Sequence, residues 1–166
     1  MPTTYLLDAN FFIQSYRVGF PMDVVPSFWI KLKELSYSKV IISIDKVKNE
    51  IYANDDDLTR WCKDNLPDFF FKDSSSAITS YSLVVQWANS KLNDPYSQQA
   101  IDTFMESTEA DAWLVAFAHI NHICLVTNEV SAITSKKSVK IPDVCNPFGV
   151  RSISPMDLFR ELGVKI

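Results

Sequence analysis

The sequence predicts an α/β domain in which a central, mainly parallel sheet is flanked by helices. Three observations predict it. Short apolar runs, YLL at 5–7, VIISI at 40–44 and ICLVT at 123–127, alternate with longer segments of helical periodicity. The VIISI run is apolar and β-branched at four of its five positions, as expected of a strand buried on both faces. No repeat, low-complexity tract or linker interrupts the chain, so residues 1–166 read as a single domain.

Each element follows from local chemistry. Residues 4–8 read as the first strand. FFIQSYRVGF (11–20) comes next as helix or loop, broken by Phe20-Pro21 and Pro26. Phe28, Leu32 and Leu35 recur at helical spacing over 27–37. The second strand, 40–44, leads into a helix over 45–54, with Ser43 or Asp45 able to cap it. A short helix follows over 55–66, and PDFFFKD (67–73) is an edge strand or a loop. Residues 76–91 read as helical through Ile78, Tyr81, Val85 and Ala88, and 96–106 through Tyr96, Ala100 and Phe104. EADAWLVAFAHIN (109–121) is the clearest helix, with Trp113, Phe117 and Ile120 on one side and Asp111 in its first turn. A third core strand spans 123–127. KSVKIPDVCNPFGV reads as a loop, 150–154 as a last short strand, and MDLFREL as a closing helix.

Composition narrows the function classes. At 47% hydrophobic and 13% aromatic the chain is not intrinsically disordered. Three glycines leave no room for a Gly-rich phosphate loop, and neither GxGxxG nor GxxxxGK[ST] occurs. Cys62, Cys124 and Cys145 are widely spaced and include no CxxC pair, which argues against a disulfide scaffold or a cysteine zinc site. No apolar run is long enough to span a bilayer, and the first residues do not have the pattern of a signal peptide. A cytoplasmic protein with no membrane role is the expectation. The net charge of −4 counts mildly against nucleic-acid binding, except in a nuclease that gathers carboxylates to hold cations.

Four acids share a context. Asp8 follows the first strand and Glu129 the third; Glu50 lies in the helix after the second strand, and Asp111 opens the helix before the third. Parallel sheets bind ligands outside the carboxyl ends of their strands. Four carboxylates at that rim would repel one another, and a divalent cation relieves the repulsion. Oxygen-only ligands suit Mg²⁺ or Mn²⁺ rather than zinc. Each acid also has a plainer reading. Asp8 is a turn residue that caps the next segment, Glu50 is a solvated helix residue beside Lys46 and Lys48, and Asp111 is a helix-start acid favoured by the macrodipole. At the fourth position either Glu129 or Asn128 makes the contact. Glu109 points off the Asp111 face, Asp45 is read as a cap and Asp143 as structural. His119 and His122 lack a third nitrogen or sulfur ligand and read as helix-end or surface residues. FFF (69–71) is core before it is a base-stacking surface.

Spacing does not select these four from 20 acidic residues. The local words do: LLDAN, ISIDKVKNEI, EADAWLVAFA and LVTNE, in that order, resemble the PIN-domain family, and most nearly its compact toxin-like members. The resemblance implies a parallel sheet between helices and a Mg²⁺- or Mn²⁺-dependent ribonuclease. By position, Asp8, Glu50, Asp111 and Glu129 match the family's four metal-binding acids, with Glu129 standing where aspartate is usual. Asn10 and Thr127 match residues that support the site. Residues 55–106 are not diagnostic, and KIPDVCNPFGV resembles only a sub-branch. The function implied is hydrolysis of RNA phosphodiester bonds by the toxin of a type II toxin–antitoxin pair. An RNA substrate and an antitoxin partner come with it, and a homodimer is a further expectation. Lys31, Lys33, Lys136, Lys137 and Lys140 are the cations available for RNA. The alternative is a catalytically inactive PIN-like module that binds RNA or protein. A phosphoacceptor receiver domain fits poorly, because its further acids and its lysine are not found.

Overall fold

The computed structural model describes residues 3–106 and 110–166. Five strands, β1 (Tyr5–Leu7), β2 (Ile41–Ile44), β3 (Phe71–Lys72), β4 (Cys124–Val126) and β5 (Ser152–Ile153), form one sheet in the order β3-β2-β1-β4-β5. Every pairing is parallel. Leu6, at the centre, stands opposite Ile42 on one side and Leu125 on the other. All residues of β1, β2 and β4 are buried. A parallel sheet needs helices on both faces, and these continuous apolar runs are the sequence form of that requirement.

The helices come between and after the strands. α1 (Ala9–Gln14) begins one residue after β1 and runs into a π-helical turn at Ser15–Gly19. α2 (Pro26–Tyr37) starts on a proline, whose fixed φ suits a first helical position. α3 (Asp45–Tyr52) leaves β2 directly, and α4 (Asp57–Asn65) is capped by Asp56 through the Thr59 N–H. α5 (Ile78–Ser90), α6 (Gln98–Met105) and α7 (Asp111–Asn121) pack together before β4. α8 (Ile141–Cys145) precedes β5, and α9 (Pro155–Leu162) closes the chain under a Ser154 cap.

Four details depart from the sequence expectations. The α5 stripe is rotated: Ser80, Val84 and Ala88 are buried, while Ile78 is 53% exposed. α7 is buried over most of its circumference, so Ile120, at 44% exposed, is not part of an inner face. Residues 141–145 form α8 where a loop is expected, because Pro142 sits in the first turn, where its missing N–H costs nothing. Neither Ser43 nor Asp45 caps α3. The Ser43 hydroxyl donates to the Leu7 carbonyl at 2.7 Å, and Asp45 Oδ1 accepts from Ser74 Oγ at 2.6 Å and Ser74 N at 3.2 Å. Asp45 thus ties the segment after β3 to the start of α3.

One core joins the layers. Its aromatic part centres on Phe28, which is 1% exposed, stacks on Phe20 at 4.2 Å and meets Trp29, Phe11 and Phe159. Phe70 is fully buried, so the middle of FFF is core. Cys62, Cys124 and Cys145 are free and buried, and burial pushes the thiols of Cys62 and Cys145 up to about 12. No helix among the described residues is long and apolar enough to cross a membrane. Truncating a buried aromatic side chain costs about 3–5 kcal/mol. Phe28→Ala is therefore expected to lose stability of that order in urea unfolding. Val24→Ala, at a position 71% exposed, should stay within about 0.5 kcal/mol of the parent.

Candidate active site

The strand order decides where a site can form. β1, β2 and β3 run outward in one direction, and β4 then returns to the other side of β1. The segments leaving β1 and β4 therefore diverge, opening a crevice at the carboxyl ends of these two central strands. Asp8 is the first residue beyond β1, and Thr127 the first beyond β4.

Asp8 is 2% exposed. Its Oδ1 accepts the Phe11 N–H at 2.7 Å, which caps α1, and its Oδ2 accepts the Thr127 hydroxyl at 2.7 Å. Thr127, 3% exposed, also accepts the Glu129 N–H on its Oγ1 at 3.0 Å. One hydroxyl thus orients both strand-end acids. Burial pushes the Asp8 carboxyl up to about 7. Its bonds to Thr127 and Phe11 oppose that rise, while the charges of Glu129 and Glu50 add to it. These two acids share the electrostatic field of Asp8.

Glu129 is half-buried, and its Oε2 accepts the Ile141 N–H at 2.7 Å at the start of α8. Glu50 is half-buried on α3, in the second half of that helix, and so does not lie at a helix start. Asp111 is the first residue of α7 and half-buried. A helix that feeds a parallel strand runs against the strands, so its start lies at the rim where Asp8 sits. Asn10 is exposed, and the exposed Asn128 amide reaches the Asn10 carbonyl at 3.5 Å.

Among the described residues, no group of three or more His, Cys, Asp and Glu is gathered closely enough to hold a metal ion. The donor chemistry nevertheless fits Mg²⁺ or Mn²⁺. A carboxylate offers about four lone-pair sites, and two hydrogen bonds leave the rest of those on Asp8 open. Mg²⁺ keeps several of its waters and takes one or two protein carboxylates, so dense convergence is not required.

The other candidates have structural work. Asp143 is buried and binds the Ser131 hydroxyl and, at 2.8 Å, the Ala132 N–H. His119 Nδ1 meets Ser80 Oγ at 3.0 Å, joining α7 to α5, and His122 closes α7 in the left-handed conformation at φ 55°. Lys31 pairs with Glu34 at 2.7 Å, and Lys33 is exposed. Glu109 lies outside the described residues.

Beside Glu129 lies an open cleft of about 570 Å³. The π-helical turn Ser15–Gly19 and Phe20 form one wall; Asn128, Glu129 and the start of α9 form the other. Sequence reading missed Gln14, Gly19 and Ser154 here, because no local word joins three separate strand ends. The signal available was that residues just beyond β1, β4 and β5 share one rim.

A family model described as a domain of unknown function, DUF4411, matches residues 5–166. The chain belongs to the DUF4411 family. No curated protein matches this DUF4411 chain. Among solved structures it is similar to VapBC2 from Rickettsia felis, crystallised with a DNA fragment from its promoter. The TM-score is 0.49 and the identity 13%, over 92% of this chain and 98% of that one.

The buried carboxyl of Asp8 sets a pH dependence. Its pKa is raised from 3.8 to about 7, so its contribution to folding is fully present below pH 3.8 and is lost as pH rises through about 7. In chelator, Asp8→Asn should therefore be more stable than the parent at pH 8, by on the order of 2–4 kcal/mol. That margin should shrink towards pH 4. Urea titrations at the two pH values check this, and a margin that is constant with pH would contradict it.

Proposed function

We propose that the chain is a Mg²⁺- or Mn²⁺-dependent endoribonuclease of the PIN type, acting as the toxin of a type II toxin–antitoxin pair. The observation that carries this reading is a carboxylate buried where the strand order reverses, with two further acids in its field. Such a charge is costly without a counter-charge, and among the described residues no Lys or Arg pairs with Asp8. A cation from outside the chain supplies what the fold withholds. The words around the four acids, which resemble the PIN family, favour the same chemistry.

In this reading Asp8, Glu50, Asp111 and Glu129 would together hold the ion and its bound waters. When bound, Mg²⁺ or Mn²⁺ activates a water and offsets charge on the phosphodiester. Thr127 fixes the Asp8 carboxylate and the backbone of Glu129. Asn10 and Asn128 edge the site. Lys140, half-buried at the cap of α8 and one residue before the Ile141 N–H that Glu129 accepts, offers positive charge for phosphates, and Lys136 and Lys137 are exposed in the segment before it. No residue of the chain need form a covalent intermediate. The toxin role brings a neutralising protein partner, and a small antitoxin-like reading frame beside the gene would support it.

One observation favours a second reading, a catalytically inactive PIN-like module. Both Asp8 oxygens and Glu129 Oε2 already accept structural hydrogen bonds. Cleavage of RNA by purified protein separates the two readings. The nuclease requires Mg²⁺ or Mn²⁺, is silenced by chelator, and loses about 10²-fold or more in Asp8→Asn. Glu50→Gln and Asp111→Asn should lose activity in the same direction. Equal rates in the parent and Asp8→Asn would overturn the assignment, and no cleavage by a folded parent would favour the binding module.

A further inference from the structure

The cleft beside Glu129 has an unusual lining for a nuclease. Among its lining residues Glu129 carries the only charge, and there is no lysine or arginine. Phosphate is therefore not what this space attracts. Amides line it instead: Gln14 from the end of α1, Asn10 from its first turn, and Asn128 from just beyond β4. Amide side chains both donate and accept, and pair with base edges, adenine above all. Phe20 adds an aromatic wall. Its ring is set by parallel stacking on the buried Phe28, at 4.2 Å and 2°. Unpaired RNA bases stack on such side chains.

Two further features point to a ligand. The wall Ser15–Gly19 is π-helical, a form that occurs mostly as single turns and frequently at functional sites. Gly19 does not need to be glycine for the fold: its φ is not positive, and a Cβ there would meet nothing nearer than the Gln14 carbonyl oxygen, at 3.9 Å. The missing side chain leaves room within the cleft. Its volume, about 570 Å³, lies in the range of sites that enclose small molecules, about 300–1,000 Å³.

We propose that this cleft is a nucleobase pocket that holds one unpaired base of RNA next to the phosphate to be cut. The neighbouring cut rests on the nuclease reading above; the base pocket itself does not. It makes the protein selective for single-stranded RNA, with preference set by Gln14 and the two asparagines.

The test is nuclear magnetic resonance of the wild-type chain in chelator, titrated separately with adenosine, cytidine, guanosine and uridine. At least one nucleoside, adenosine foremost, should shift the backbone amides of Gln14 and Gly19. Gln14→Ala and Gly19→Ala should each weaken that binding at least fivefold while unfolding at the parent temperature. The proposal is overturned if no nucleoside moves these amides, or if both variants bind as the parent does. It is equally overturned if an apolar peptide moves them and no nucleoside does, which would make the cleft a protein-docking site. Cleavage of RNA by a chain that binds no nucleoside would sink the pocket and leave the nuclease standing. Nucleoside binding by a chain that never cleaves would do the reverse.

Discussion

The hydrogen bond from Thr127 to Asp8, across the seam between β1 and β4, is the contact on which the rest of the rim depends. It joins two residues distant in sequence, both almost fully buried, at 2.7 Å. Asp8 also starts α1, through Phe11, and Thr127 also holds the backbone of Glu129. Hydrogen bonds to an ionised group are about twice as strong as neutral ones. Even so, two of them do not offset burial, since the Asp8 carboxyl still sits near 7. The fold therefore keeps an acid poised between protonation states at its topological centre. A purely structural cap has no need of that, because a neutral asparagine would cap as well.

Two other aspartates, one buried and one half-buried, make the contrast. Asp143 uses both oxygens to close the segment at Ser131 and Ala132. Asp45 takes the Ser74 hydroxyl, the Ser74 N–H and the Lys46 N–H on one oxygen. Both carboxylates fasten chain segments that secondary structure leaves loose. Asp8 takes a hydroxyl and an N–H as well, from Thr127 and Phe11, and in addition lies in the field of Glu129 and Glu50.

Much of this architecture was legible in the residues. Continuous apolar runs in β1, β2 and β4 marked buried parallel strands, and Asp8 falls one residue past the first of them. The doubtful run at 67–73 contains β3, a two-residue edge strand. The buried sides of α5 and α7 were less legible. Helical spacing marks one stripe, but α7 is wrapped by α5, α6, α8 and the sheet, and burial there is nearly all round. α8 was hidden by its proline and by being only five residues long. At the site, the family words name Thr127 and both acids, but no word contains the link between them. Two hydrogen bonds meeting on one hydroxyl exist only once β1 and β4 are neighbours.

The buried thiols carry a practical consequence. Cys62, Cys124 and Cys145 all lie inside the core, and each has its acidity suppressed by burial. Thiolate is the form that alkylating dyes attack, so the native chain offers them almost nothing. A cysteine installed at Val18, 71% exposed and on the cleft wall, becomes the one reactive handle on the folded protein. A fluorophore could then be set at the mouth of the cleft without first stripping the native cysteines from the core.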